Sequence, residues 1–243
     1  ILVGGAFTAY KGTPVGGIAK LSSSGVLDTS FNSGGAGFNG AVNSIVVNGN
    51  NILVGGDFTT YNGTTVNNFT RLSSSGSLNA FSYTYSFGGS PSIKSIALQS
   101  DGKIVVGGSW VNMTSVTPSA GTVTTVRNLV RFNTTGQIDA SVTYSTSGTN
   151  VTAGTINTVV VQSDDKVLIG GVTSYQGTAM AGIARLTSST LALESTSTFN
   201  IGTGFSAGTV NKIAVQSDGK IIAVGTMTGS FNGAGNTLTR IVR

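Results

Sequence analysis

The sequence predicts an all-β fold built from a unit of about 50 residues that recurs about five times along the chain. Three observations predict it. A hairpin segment returns along the chain, a glycine pair closes an apolar run at regular intervals, and a basic residue precedes a large apolar one just ahead of a small polar turn. The hairpin is clearest from Ser95 to Gly108, where two apolar runs flank Asp101-Gly102. An Asp-Gly pair in that setting is the strongest short-range hairpin signal, and it suggests a type I′ turn with positive φ at both central residues. The segment returns from Lys212 to Ile222 around Asp218-Gly219, and in altered form from Val159 to Gly171, where Asp165 replaces the glycine.

The glycine pairs are Gly4-Gly5, Gly55-Gly56, Gly107-Gly108 and Gly170-Gly171, and in the fifth unit Val224 precedes Gly225. The second glycines are separated by 51, 52, 63 and 54 residues, by subtraction of their positions. A glycine that ends a strand permits a bulge or a close backbone approach. A phosphate loop is excluded, because no Lys-Ser or Lys-Thr and no helix follow the pairs. The basic–apolar pairs are Lys20-Leu21, Arg71-Leu72, Arg131-Phe132, Arg185-Leu186 and Arg240-Ile241, and turns such as Ser22-Ser23-Ser24-Gly25 follow the first four. Each unit thus offers three strands and a weaker fourth, which is the pattern of a β-propeller blade. A β-solenoid is the rival, with each unit forming two coils.

From these boundaries the chain reads as one domain, 1–243, with repeats at approximately 1–41, 42–92, 93–155, 156–209 and 210–243. Some blades are expected to be incomplete at the termini. Ile1 enters at a second strand and Arg243 stops after a third, which suggests a segment of a longer chain or strands supplied by a neighbour. The expected state is an oligomer or part of a longer polypeptide.

Composition narrows the chemistry. Cysteine and histidine are both absent, which removes disulfides, thiolate metal sites, the commonest general base and the commonest metal ligand. No metal and no cofactor is expected. The formal charge of +5 comes from dispersed residues, not from the dense basic stripe of a nucleic-acid footprint. No apolar run is long enough for a membrane span, so no membrane insertion is expected. The single Asp of each Asp-Gly turn does not make a calcium loop, which needs several converging oxygens.

The matching residues Gln99–Gly108, Gln216–Ile222 and Leu21–Phe31 closely resemble the delta-60 repeat, a largely uncharacterised family of propeller-like repeats. The resemblance covers essentially the whole chain and implies the propeller fold. It also implies large bacterial surface or secreted proteins, or phage proteins, as the setting.

Several residues are candidates for ligand or partner contact. Arg71, Arg131 and Arg185 share a register with Lys20 and Arg240, and equivalent propeller positions form a ring. Such a ring could hold an anion, but local pairing with Asp28 or Asp139 is the commoner use of arginine. Tyr10, Tyr61, Tyr175 and Phe231 share a second register, read as packing between blades over sugar stacking. In the third unit Val111–Val126 is a Thr- and Ser-rich insertion, read as a loop; insertions in repeats often mark a binding or assembly face, with neutral drift as the equal alternative. It brings Asn112, Thr114 and Pro118, beside Trp110, into the candidate set.

A glycosidase needs two converging carboxylates, and most of the eight acidic residues recur at turn or ring positions. The sequence therefore suggests a non-catalytic structural or adhesion module, not an enzyme. It would serve a virion, as a phage tail or decoration component, or a bacterial cell surface, and so be extracellular. Expected partners are other structural proteins of the same assembly and a host-surface glycan, with no nucleic acid. The alternatives are a secreted polysaccharide-acting enzyme that uses the propeller as its frame, and a propeller that binds a soluble ligand in its channel.

Overall fold

The structure is a computed structural model of the chain and describes residues 1–81, 83–116, 126–142, 153–195, 197–199, 204–231 and 241–242. The chain folds as a β-propeller, and the described residues contain strands and turns but no helix. Blade 1 holds β1 (Leu2–Gly4), β2 (Ala9–Tyr10), β3 (Thr13–Pro14) and β4 (Ile18–Lys20). Blade 2 holds β5 (Val42–Asn48), β6 (Asn51–Gly56), β7 (Thr60–Tyr61), β8 (Thr64–Thr65) and β9 (Phe69–Ser73). Blade 3 holds β10 (Thr84–Phe87), β11 (Ser92–Leu98), β12 (Ile104–Ser109), β13 (Met113–Val116) and β14 (Leu129–Phe132). Blade 4 holds β15 (Ala153–Val161), β16 (Val167–Tyr175) and β17 (Thr178–Leu186). Blade 5 holds β18 (Phe205–Ala207), β19 (Val210–Val215), β20 (Ile221–Gly225), β21 (Thr228–Phe231) and β22 (Ile241–Val242).

Each blade is an antiparallel meander: β5-β6-β9, β11-β12-β14, β15-β16-β17 and β19-β20-β22, with β1-β4 in blade 1. The weak fourth strand is a single bridge, Leu21 to Leu27, Leu72 to Leu78, Phe132 to Ile138 and Leu186 to Leu193. Apolar side chains project from both faces of the middle strands, so the core forms between blades. Phe38, Val54 and Tyr61 fill the seam of blades 1 and 2, and Phe69, Tyr85 and Phe132 that of blades 2 and 3. Val105, Ile156 and Val159 fill the next seam, and Leu168, Val210 and Ile213 the last.

The glycine pairs have two separate jobs. A methyl group on the first glycine would strike the next blade. At Gly55 it would lie 2.4 Å from Ile93 Cγ2, at Gly107 2.5 Å from Ile156 Cγ2, and at Gly4 2.6 Å from Val42 Cγ1. The first glycine is thus the socket for the leading apolar residue of the following blade. The second glycine faces its own blade's first strand. A methyl at Gly56 would lie 2.0 Å from Ala41 O, and one at Gly108 2.1 Å from Ser92 O. A bulge sits opposite in each case, at Val42/Ser44 and Ile93/Ser95.

The Asp-Gly turn differs from the expected type I′. Only Gly102 has positive φ, at 81°, and Asp101 does not. Gly102 N donates to Gln99 O at 2.9 Å and Gln99 N to Lys103 O at 3.0 Å, the geometry of a type I turn closed by a left-handed residue. Asp101 uses its carboxylate to accept the Lys103 N–H at 3.0 Å, a local bond that a type I turn accommodates. The insertion of the third unit also differs from the expected loop, for its start forms β13 and pairs with β10. Met113 and Phe87 are opposed across that pair and both are buried, which supplies the apolar contact that a loop would lack.

Candidate functional site

The cationic register is the most chemically loaded set of positions in the repeat. Arg131 of β14 is fully buried, at 0% exposure. Its Nε donates to Asp139 Oδ2 at 2.8 Å, and its Nη1 to Gln99 Oε1 at 3.1 Å and Ser188 O at 2.6 Å. Its Nη2 donates to Ser141 Oγ at 2.8 Å and to Ser189 O. A guanidinium has five N–H groups in a fixed fork, and here each meets a protein acceptor. Ser188 and Ser189 belong to the polar turn of blade 4, so Arg131 ties its own blade to the next. Gln99 joins the same knot, donating to Asp165 O at 2.9 Å and to Ser188 O at 3.0 Å.

Burial alone would raise the Asp139 pKa. Hydrogen bonds from Ser141 and the Arg131 guanidinium outweigh it and hold the carboxyl below its ordinary value. Arg71 donates its Nε to Asn79 O at 2.9 Å, and its guanidinium lies 4.5 Å from the centre of the Phe81 ring. Arg185 pairs with Glu194 at 2.6 Å, donates to Thr198 O at 2.8 Å, and lies 4.5 Å from the Phe199 ring. In blade 1, Lys20 pairs with Asp28 at 3.1 Å. Arg240 lies outside the described residues.

The aromatic register has a role that its ring alone did not disclose. Tyr10, Tyr61 and Tyr175 donate their hydroxyls to Gly25 O at 2.7 Å, Gly76 O at 2.5 Å and Leu191 O at 2.6 Å. Each acceptor is the left-handed residue of the polar turn in the same unit. The rings of Tyr61 and Tyr175 also pack in the seam clusters, Tyr61 lying 4.5 Å from Phe38 of the preceding connection. In blade 3 the insertion displaces this register, and Tyr85 reaches Gly136 O from β10 instead. Burial raises the Tyr61 and Tyr85 phenols well above their usual range. The side chain of Phe231 lies outside the described residues.

The structure does not gather the candidates into one place. Trp110 is buried at 3% exposure, with its indole N–H on Val126 O at 2.9 Å and its ring 5.2 Å from Phe87. Asn112 is exposed, and its carbonyl accepts Gly88 N at 2.7 Å. Thr114 lies opposite Ser86 in the β10–β13 pair. Pro118 lies outside the described residues.

All eight carboxylates lie in described segments, and each has a hydrogen-bond or ion-pair partner. Asp28, Asp139 and Glu194 pair with the register cations, while Asp101, Asp164 and Asp218 pair with the lysine of their own hairpin. Asp57 accepts from Asn43 at 3.0 Å and from Ser92. Asp165 accepts the Ser100 N–H at 2.7 Å and the Ser100 hydroxyl. Sequence reasoning missed Gln99 and Asp165. The signal for Gln99 was available in Gln99, Gln162 and Gln216, which recur just before the hairpin turn.

A family model described as a domain of unknown function (DUF5122) beta-propeller matches residues 1–31, 50–81, 99–117, 162–189 and 216–243, more than half of the chain. A search of the curated proteins returns no match. Among solved structures, the chain is similar to the extracellular domain of BT4673 from B. thetaiotaomicron, described as a hybrid two component system. The identity is 15% and the TM-score 0.46, over 83% of this chain and 22% of that one. A protein of unknown function from Bacteroides caccae aligns at 10% identity and TM-score 0.34, over 98% of this chain and 92% of that one. The WD40 beta propeller domain of Doa1 aligns at 11% identity and TM-score 0.33, over 83% and 69%. The chain thus spans less than a quarter of the length of the BT4673 extracellular domain.

Proposed function

The chain belongs to the DUF5122 β-propeller family, and from that premise we propose that it is a non-catalytic structural or adhesion module that binds protein or glycan partners. Its place is outside the cell, on a bacterial surface or in a virion as a phage tail or decoration component, and its strand register is that of the delta-60 repeat. It works within an oligomer or a longer chain, alongside other structural proteins of the same assembly. The observation that carries this reading is the engagement of every carboxylate in a local or blade-to-blade contact. A glycosidase keeps two carboxyl groups facing one bond, one of them protonated and free to donate. Here Asp139 and Glu194 are held ionised beside arginines. Low charge and a chain rich in Ser, Thr, Asn and Gly also suit a module that meets other surfaces by hydrogen bonding.

The test is incubation with bacterial and host polysaccharides, reading both retention on the polymer and release of reducing ends. Retention without release is expected. Release that disappears in Glu194→Gln would overturn the proposal and favour a polysaccharide-acting enzyme.

A further inference from the structure

A cation, an oxygen acceptor and an aromatic ring recur together in blades 1, 2 and 4, and blade 1 leaves the arrangement open. In blades 2 and 4 the guanidinium covers the ring at 4.5 Å. In blade 3 Arg131 is sealed under the turn of blade 4. Blade 1 has Lys20 in this position, which has no fork to reach several carbonyls at once. Its Nζ stands 6.0 Å from the Phe31 ring, with 40% of the side chain exposed. Beside it lies a cavity of about 490 Å³ between the β2–β3 hairpin and the connection from Leu27 to Ala36. The equivalent cleft in blade 2 is lined by residues 51 positions later, such as Val66 and Phe69 for Val15 and Ile18, and holds only about 120 Å³. Tyr83 and Tyr85 close in on it there.

We infer that the blade 1 cleft is a binding site for a neutral saccharide. The inference rests on the module reading above and names its ligand class and its location. The volume falls in the range of small-molecule sites. Val15, Ile18 and Leu27 give it apolar walls for the C–H face of a sugar ring, over a floor made by the nearly buried Phe31. Lys20 and Asp28 supply the polar end as a pair 3.1 Å apart. Two neighbouring hydroxyls fit such a pair, one accepting from the ammonium and one donating to the carboxylate. An anion would meet Asp28 and a cation would meet Lys20, so the pair selects against both. Hydrogen bonds from Ser30, then the Lys20 contact, hold the Asp28 pKa down to about 2, so it accepts at every physiological pH.

The test is backbone-amide NMR of the whole chain titrated with maltose, cellobiose, lactose, inorganic phosphate or tetramethylammonium. At least one disaccharide should shift the amides of Lys20, Asp28 and Ser33, and phosphate and tetramethylammonium should not. Lys20→Arg copies blades 2 to 4 and keeps the charge. It should weaken that binding by about tenfold or more with an unchanged melting temperature, and Asp28→Asn should weaken it too. The inference fails if no disaccharide moves these amides, if phosphate or tetramethylammonium moves them, or if Lys20→Arg binds as the parent does. Shifts confined to another blade would sink the cleft and leave the module reading standing. Cleavage of a disaccharide would sink the module reading and leave the cleft as a site.

Discussion

Asp165 stands where Gly102 and Gly219 stand in the neighbouring blades, in the same left-handed conformation at φ 61°. An L-residue pays about 1 kcal/mol or more there, and Asp is among the few that tolerate it. What offsets the strain is its carboxylate, which accepts both the N–H and the hydroxyl of Ser100 in blade 3. Charge-assisted bonds of this kind are each worth about 1.5–3 kcal/mol, discounted here because the pair is partly exposed. Asp165→Gly should therefore lower stability by about 1 kcal/mol in urea unfolding, even though it restores the repeat. A more stable variant would mean that strain outweighs the bonds. The sequence showed that this position departs from the repeat. It could not show why, because Ser100 is 65 residues away and the link exists only once blades 3 and 4 are docked. The Arg131 knot was legible only in part. Its pairing with Asp139 follows from spacing within a unit, whereas Ser188 and Ser189 lie in the next unit.

At the scale of elements, the polar turns of blades 1 to 3 were readable from Ser73-Ser74-Ser75-Gly76 and its counterparts, because glycine marks the left-handed position that closes each one; in blade 4 Leu191 takes that position. The tyrosines that hold those turns were readable as a register but not as hydrogen-bond donors. A phenol 15 residues from its acceptor gives no local signature, and in blade 3 the donor comes from Tyr85, outside the register. Tyr61→Phe keeps the ring contacts with Phe38 and leaves Gly76 O without its donor in a buried setting. It should cost about 1–3 kcal/mol, with faster amide exchange concentrated in the Ser73–Ser77 turn. Uniform loss across the blade, or no loss, would contradict a turn-holding role. The insertion shows the opposite limit. Its Thr and Ser content suggested a loop, yet Met113 opposite Phe87 makes a strand pair, because packing overrides local propensity.

Across the whole molecule, stability resides in the seams. Each joins a glycine socket, an apolar cluster and, at blades 3 and 4, a buried charged knot. The pH dependence follows from Asp139 in the knot between blades 3 and 4 and from Glu194 beside the cations of its own blade. Asp139 and Glu194 have folded pKa values below their ordinary ones, so the unfolded chain binds their protons more readily. Their contribution is complete above the unfolded values of about 4 and is lost as pH falls through the lower folded values. The urea midpoint should be flat from about pH 7 to 5 and drop steeply below about pH 4. Asp139→Asn should start from a lower midpoint and show a shallower acid decline. An unchanged decline would place the acid sensitivity elsewhere.

The central claim is that, within the cationic register, Arg131 locks blade 3 to blade 4. Arg131→Lys tests it most directly, read by native-state hydrogen exchange at single amides. Lysine keeps the charge and the reach to Asp139 but cannot serve Gln99, Ser141, Ser188 and Ser189 together. Protection should fall in β14 and also in the Thr187–Leu191 turn of blade 4, while blades 1 and 2 keep theirs. A loss confined to blade 3, with that turn as protected as in the parent, would contradict the claim.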